Sequence, residues 1–375
     1  MPSIANVKPM KIGVIGCGDI ARKAYVPACR RFPFLEIAAC ADLDVARAQS
    51  FASELSIPRG CSVDELLADP SIELVLNLTV PKAHAQVATR ILNAGKHVYG
   101  EKPFALNRAE GQAVVDLARK RGLTVGCAPD TVLGCGVQTC RKYLDDGLIG
   151  TVVAGSGFML CGGHETWHPS PEFYYEVGGG PLYDMGPYYL HALITLLGPV
   201  KRVSGAARIT HPTRTITSKP KHGKVVQVEV PTHVVTVMEF VQGAIFTLTT
   251  SFDVRGGHTM PNIELYGTDG SMQVPDPNGT NGSIRISRHR VHDWVEYART
   301  HPYRDGSRGV GVADQAVAIR NKRAFRCNDA VAMHATEVFD AVHEAARSGR
   351  YVELTTTCER PAAIDPAQPD WTIDA

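Results

Sequence analysis

Lys11-Ile-Gly-Val-Ile-Gly-Cys-Gly-Asp-Ile-Ala21 is the stretch that decides the fold. A short run of β-forming residues leads into a turn of the form G-x-G-x-x-A, and an amphipathic stretch follows. Each position then has its own task. Gly16 permits the tight turn, Gly18 lets backbone approach a pyrophosphate, and Ala21 allows the following helix to pack closely on the strand. Asp19 and Ile20 open that helix, whose N-terminal N–H groups and dipole favour an anion. Asp42 closes the next β-rich run about 20 residues downstream, where a carboxylate accepts the hydroxyls of an adenosine ribose. A carboxylate there repels a 2′-phosphate, and Leu43 follows it in place of an arginine, which favours NAD over NADP. The competing reading makes Asp42 only a cap for a helix beginning near Asp44.

Outward from this turn, short β-branched runs alternate with longer amphipathic ones, the pattern of βαβ units on a parallel sheet. Strands are predicted at 11–15, 35–41, 74–78, 97–99 and 123–127, with helices at 45–55, 83–93 and 109–120 covering the faces. The fold class is therefore α/β, with an N-terminal Rossmann dinucleotide-binding domain over residues 1–128. After Pro129 a helix at 132–146 stops at Gly147 and a strand follows at 151–159. Further β-forming runs at 202–209, 225–230, 233–240, 244–251 and 263–266 are joined by turns such as Gln242-Gly243 and Asp269-Gly270. They predict a C-terminal α+β domain, 129–375, with a large, mostly antiparallel open sheet, and helices at 310–321 and 330–348 are expected on one of its faces.

Composition narrows the function classes. At 375 residues, 44% of them hydrophobic and 21% charged, the chain has material for two cores; a single core seldom grows beyond roughly 250–300 residues. A net charge of +1 gives no broad attraction to nucleic acid or anionic lipid, so a small molecule is the expected partner. MPSIANVKPMKIGVIG has no signal-peptide run, and no stretch approaches the ~18 apolar residues of a membrane span. A cytoplasmic protein is expected. The ten cysteines form no CxxC pair and no zinc-like spacing, so reduced core thiols are expected and a metal is not.

Gly100-Glu101-Lys102-Pro103, after the fourth strand, resembles the E-K-P signature of the Gfo/Idh/MocA oxidoreductase family. The likeness extends to Asn77-Leu-Thr-Val-Pro81 with His84, to Cys127-Ala-Pro-Asp-Thr131, to the run from Gly178 through Pro181, Asp184, Pro187 and Tyr188 to His191, and to Tyr266-Gly-Thr-Asp-Gly270. It implies hydride transfer between a nicotinamide and a hydroxyl-bearing carbon of a sugar, inositol or glycoside. It also implies cofactor contacts at Thr79, Pro81, His84, Glu101 and Lys102, and a homodimer or homotetramer built on the second sheet.

Such chemistry needs a proton acceptor and a cation that stabilises the developing alkoxide. Lys102, at the carboxyl end of a parallel strand, is the candidate cation. Asp184, Tyr188 and His191 are the candidate partners, Asp184 lying just before a helix that Pro187 opens. Many relatives carry a histidine four residues after this aspartate, where this chain has Tyr188. A phenol ordinarily titrates near 10, too high for a base at neutral pH unless a cation such as Lys102 lies beside it. Tyr188 therefore ranks first as the proton carrier and His191 second, a helical histidine being more often a packing residue. Asp130, Trp167 and His168 are candidate substrate contacts, against the alternatives of helix capping for Asp130 and core or oligomer contacts for the other two. Two other functions fit the same residues: a glycosidase that oxidises C3 transiently with bound NAD, and a non-catalytic binding protein for sugar and NAD.

Overall fold

The computed structural model describes residues 9–291 and 293–374; the first eight residues, read above for a leader, lie outside the described residues with His292 and Ala375. Two units emerge: one within Met1–Cys135, Thr300–Met333 and Pro361–Ala375, as far as these are described, the other Gly136–Arg299 with His334–Arg360. A single boundary at residue 128 is expected from the sequence; the chain divides discontinuously because it returns twice to the first unit.

In the first unit β1 (Met10–Ile15), β2 (Leu35–Ala41), β3 (Gly60–Cys61), β4 (Leu74–Asn77), β5 (His97–Gly100) and β6 (Val125–Cys127) form one sheet in the order β3-β2-β1-β4-β5-β6. All five pairings are parallel. The order reverses between β1 and β4, the switch point where open α/β sheets bind ligands. After the glycine turn come a π-helical turn, Ala21–Tyr25, and the short helix α1 (Val26–Cys29). Helices α2 (Val45–Glu54), α4 (His84–Asn93) and α5 (Arg108–Arg121) match the predicted amphipathic runs within about two residues. Between α2 and α4 lies α3 (Val63–Ala68), too short to show a period. Its one signal is Ser62-x-x-Glu65, which forms a capping box.

The segment 300–333 supplies α9 (Val310–Asn321), which packs against β6 and α1, not with the second sheet as expected. Gln315 explains the placement: its Nε2 donates to the Val98 carbonyl at 3.1 Å and to Thr124 Oγ1 at 2.9 Å. Arg326, 4% exposed, fastens both returning segments. Its Nη1 reaches Asp314 Oδ1 at 2.9 Å, Nη2 reaches Asp374 Oδ2 at 2.7 Å, and Nε donates to the Ala362 carbonyl at 2.9 Å.

The second unit begins with α6 (Cys135–Asp145), whose first residue still belongs to the first unit, and β7 (Val152–Leu160). Two helices follow, α7 (Gly180–Asp184) and α8 (Gly186–Leu197), the latter buried along its whole length. Strands β8 (Val200–Arg208), β11 (His233–Phe240), β12 (Ile245–Ser251), β13 (Ile263–Gly267), β14 (Gly270–Val274), β15 (Ile284–Arg288), β16 (Val295–Tyr297) and β17 (Val352–Glu353) join β7 in a nine-stranded sheet. Its order is β16-β15-β14-β13-β7-β12-β11-β8-β17. Only β7 and β12 pair in parallel, so the sheet is mixed and mostly antiparallel. Alternate residues of β11 are buried, the mark of one covered face. The body of α10 (Asp329–Ser348) lies with this sheet, His334 Nε2 accepting from Val200 N at 2.9 Å. A separate hairpin, β9 (Thr213–Thr215) and β10 (Val225–Gln227), carries Arg214 inward. Among the described residues no helix is long and apolar enough to cross a membrane.

Arg326→Met should lower the unfolding free energy by about 3 kcal/mol, because Asp314, 0% exposed, keeps Arg323 but loses the more buried of its two arginines, and Asp374 and the Ala362 carbonyl lose their donor. Arg22→Met, at the exposed pair with Glu54, should leave the unfolding free energy almost unchanged. Urea denaturation of both variants tests the contrast; equal losses would contradict it.

Candidate active site

The glycine turn lies where the motif requires. Gly16 has φ +102°, and a Cβ there would sit 2.5 Å from the Leu78 carbonyl oxygen, so only glycine lets β1 and the loop after β4 approach this closely. At Gly18 a Cβ would meet nothing within 4 Å; its missing side chain faces open space. That space belongs to a cleft of about 470 Å³ lined by Gly16, Cys17, Gly18, Asp42, Thr79 and Val80, with Arg47, Gln86 and Arg90 contributed by α2 and α4. Asp42 holds the turn from the far side: Oδ2 accepts from Cys17 N at 3.0 Å and Oδ1 from Asp44 N at 3.2 Å. The cap of α2 is Asp44, so Asp42 is not consumed by capping. Arg47, one turn into α2, stands 3.7 Å from Asp42 Oδ1. No local spacing marks it, because only the helix brings the two together. An open glycine turn with a carboxylate in the wall fits the phosphates and ribose of a dinucleotide.

Asp19 extends into solvent and pairs with Lys23 at 2.7 Å, and Ile20 lies on the first helical turn. Pro81 opens a 3₁₀ turn after Thr79, and His84 starts α4. His84 is 3% exposed, with Nδ1 2.7 Å from the Pro103 carbonyl and Nε2 3.0 Å from the Thr79 carbonyl. One ring thus ties the loop after β4 to the loop carrying Lys102. Burial pushes its pKa down, and the two carbonyl contacts oppose that. Glu101 is buried beside Lys102: Oε1 accepts from Tyr25 Oη at 2.9 Å and lies 3.4 Å from Arg308 Nη1, while Oε2 accepts from Lys102 N at 3.0 Å. The half-buried Lys102 therefore stands on an anchored loop at the carboxyl end of β5.

Asp130, expected as a substrate contact or a helix cap, is fully buried and caps α9, a helix distant in sequence. Its Oδ2 accepts from Gly309 N at 2.6 Å and from Gly311 N at 3.1 Å. Burial pushes the carboxyl up to about 6, although Arg308 and the two amides pull it down.

In the second unit Asp184 ends α7 and does not cap α8, which starts after Met185 without a side-chain cap. Tyr188 occupies the first turn of α8 and is 4% exposed. His191 is buried in the same helix, and burial pushes its pKa down to about 4, which keeps the ring neutral at ordinary pH. That weighs against it as a proton carrier. Trp167 is 61% exposed, and His168 accepts from Ser170 N at 3.0 Å. The residue that sequence reasoning missed is His164. Its Nε2 lies 3.4 Å from Asp184 Oδ2, and its ring packs against Trp167, Tyr174 and Phe252 at centroid distances of 5.3, 4.0 and 4.6 Å. No spacing in the sequence links residues 164 and 184.

Comparison with known proteins agrees with these two folds. Residues 10–128 match the model of an oxidoreductase family with an NAD-binding Rossmann fold, and residues 137–273 match the Gfo/Idh/MocA C-terminal domain. The chain belongs to the Gfo/Idh/MocA oxidoreductase family. It is 33% identical over 202 residues to dTDP-3,4-didehydro-2,6-dideoxy-alpha-D-glucose 3-reductase of Streptomyces violaceoruber, covering 54% of this chain and 58% of that one. The enzyme of that name from Saccharopolyspora spinosa is 29% identical over 326 residues, 83% of this chain and 92% of its own. The match to the first of these relatives thus spans little more than half its length. Among solved structures, a levoglucosan dehydrogenase in complex with NADH has a TM-score of 0.80 at 20% identity, covering 93% of this chain and 100% of its own. At that identity the likeness concerns the fold.

Two outcomes follow for the first unit. Gly16→Ala should destabilise the protein and abolish NAD binding, whereas Gly18→Ala should leave the melting temperature unchanged yet weaken NAD; thermal melts with and without NAD separate the two, and an unaltered NAD response in Gly18→Ala would refute the phosphate role. Asp130 has a folded pKa near 6, above the roughly 3.9 of an unfolded chain. Its stabilising contribution is therefore full below about pH 4 and lost as pH rises through 6, on the order of 3 kcal/mol. Asp130→Asn keeps an accepting oxygen and removes the titration, so it should gain on wild type in urea midpoint between pH 4 and 6.5; parallel curves would contradict this.

Proposed function

We propose that this protein is an NAD-dependent oxidoreductase that moves a hydride between nicotinamide and a hydroxyl-bearing carbon of a sugar, inositol or glycoside. The observation that carries the reading is the union of an open glycine turn, Asp42 in the cleft wall, and Lys102 on a loop pinned through Glu101 at the end of the neighbouring strand. A relative acting on a deoxysugar nucleotide and a fold neighbour acting on levoglucosan support a carbohydrate substrate.

Bound NAD supplies the hydride acceptor. The ammonium of Lys102 lowers the energy of the alkoxide that develops as the hydroxyl proton leaves. Tyr188 is the first candidate to carry that proton, with Asp184 supplying the negative charge nearby in the chain. His191, neutral and buried, has no comparable claim. NAD is preferred to NADP because Asp42 repels a 2′-phosphate, and Arg47, 3.7 Å away, is partly neutralised by it.

NADH formation scanned over aldoses, inositols, glycosides and sugar nucleotides, with NAD and NADP compared, tests the assignment. Lys102→Ala should lower kcat by at least about 100-fold while NAD still binds. Near-normal turnover in that variant would remove the mechanism, and cleavage of a glycoside without net NADH would redirect the reading to hydrolysis.

A further inference from the structure

Three other buried histidines of this chain are held by hydrogen bonds at both ring nitrogens. His84 faces two carbonyls, His334 has Val200 N and Thr356 Oγ1, and His301 has Thr300 Oγ1 and the Ile364 carbonyl. His164 differs. It is 9% exposed, yet among the described residues neither Nδ1 nor Nε2 has a hydrogen-bond partner, and the ring faces the carboxylate of Asp184, 3.4 Å away. Leaving a buried polar atom unsatisfied costs about 1–3 kcal/mol, so packing alone is a poor reason for an imidazole here.

The mount is rigid. Gly163 has φ +93°, and a Cβ on it would come within 2.6 Å of Tyr175 Oη, so the backbone before His164 requires glycine. His164 N donates to Tyr175 Oη at 3.1 Å, and Tyr175 Oη donates in turn to Glu165 Oε2. Glu165 is also held by Arg214 Nη1 at 2.8 Å, and Arg214 Nη2 bonds Asp253. The neighbouring carboxylate is thus committed to Arg214 and Tyr175. Around the ring stand Trp167, Tyr174 and Phe252, with His168 near enough for the two imidazoles to repel when charged.

We propose that His164 is a positioning residue for the reaction: its imidazole orients the Asp184 carboxylate and takes up positive charge beside it when the substrate proton is released. The inference rests on the oxidoreductase reading above. Oxidation of a CH–OH group breaks its C–H and O–H bonds and forms a carbonyl; the hydride passes to NAD and the proton to the protein. An imidazole beside a carboxylate accommodates that proton by becoming the cation of an ion pair, which adds no unpaired buried charge.

The test uses the full chain with a sugar active in the panel and compares wild type, Lys102→Ala, His164→Asn and His164→Ala. Expected is a fall in kcat of about tenfold or more in both His164 variants with KM and NAD affinity within about twofold, and partial recovery of His164→Ala by free imidazole. His164→Asn preserves polarity and much of the volume should the alanine variant fold poorly. If wild type turns over, Lys102→Ala does not, and both His164 variants keep wild-type kcat, the proposal is overturned while the oxidoreductase reading stands. Loss of activity with no imidazole rescue in a folded His164→Ala also overturns it. A wild type that binds NAD and oxidises nothing removes the oxidoreductase reading, and this inference with it.

Discussion

A carboxylate cannot be buried without partners, and the first unit is arranged around that constraint at Glu101. Its two oxygens gather a phenol from the stretch after the glycine turn, a backbone amide from the lysine loop and a guanidinium from the returning segment. Three parts of the chain separated by some 200 residues are fixed to one point. The position of Lys102 follows, because its own amide is one of the three. Arg308 also acts electrostatically on Asp130, which anchors the start of α9, so the returning segment belongs to the same charge system.

Much of this was legible in the sequence, and the reason is periodicity. The β2 run at 35–41, the β11 run at 233–240 and α9 at 310–321 have patterns long enough to fix their bounds, and all three are found as predicted. The same alternation shows in β15, where Ile284 and Ile286 are buried and Arg285 is exposed. What failed was association. Nothing in an amphipathic helix says which sheet it will cover, so α9 was expected on the second sheet, whereas Gln315 and the Asp130 cap hold it to the first.

The candidate site divides along the same line. Gly16, Gly18 and Asp42 are legible because one βαβ unit spaces them locally. Arg47 and Arg90 in the same cleft are not, since their nearness depends on how α2 and α4 turn over the strand ends. His164 is harder still: a mostly irregular stretch and the short α7 separate it from Asp184, and the buried group around Arg214 that shapes that chain draws on a hairpin, a loop and the end of β12. Burying that arginine is tolerable because Glu165 and Asp253 both answer it, and the segment from 161 to 165 gains its rigidity in return.

Among the buried groups that retain polar atoms without a hydrogen bond are Asp130 at Oδ1 and His164 at both nitrogens, and these two resolve differently. Asp130 can relieve its spare oxygen by holding a proton, since burial already pushes its pKa up to about 6, and its other oxygen serves a helix start; the residue is explained by structure. For His164 no backbone group, hydroxyl or amide among the described residues takes up either nitrogen. What it has instead is a carboxylate 3.4 Å away, on the short helix that leads into the helix bearing Tyr188. A pair at that distance gains little while the ring is neutral and much once it is charged. Its worth therefore lies in a change of protonation, which packing never requires and an alcohol oxidation always produces.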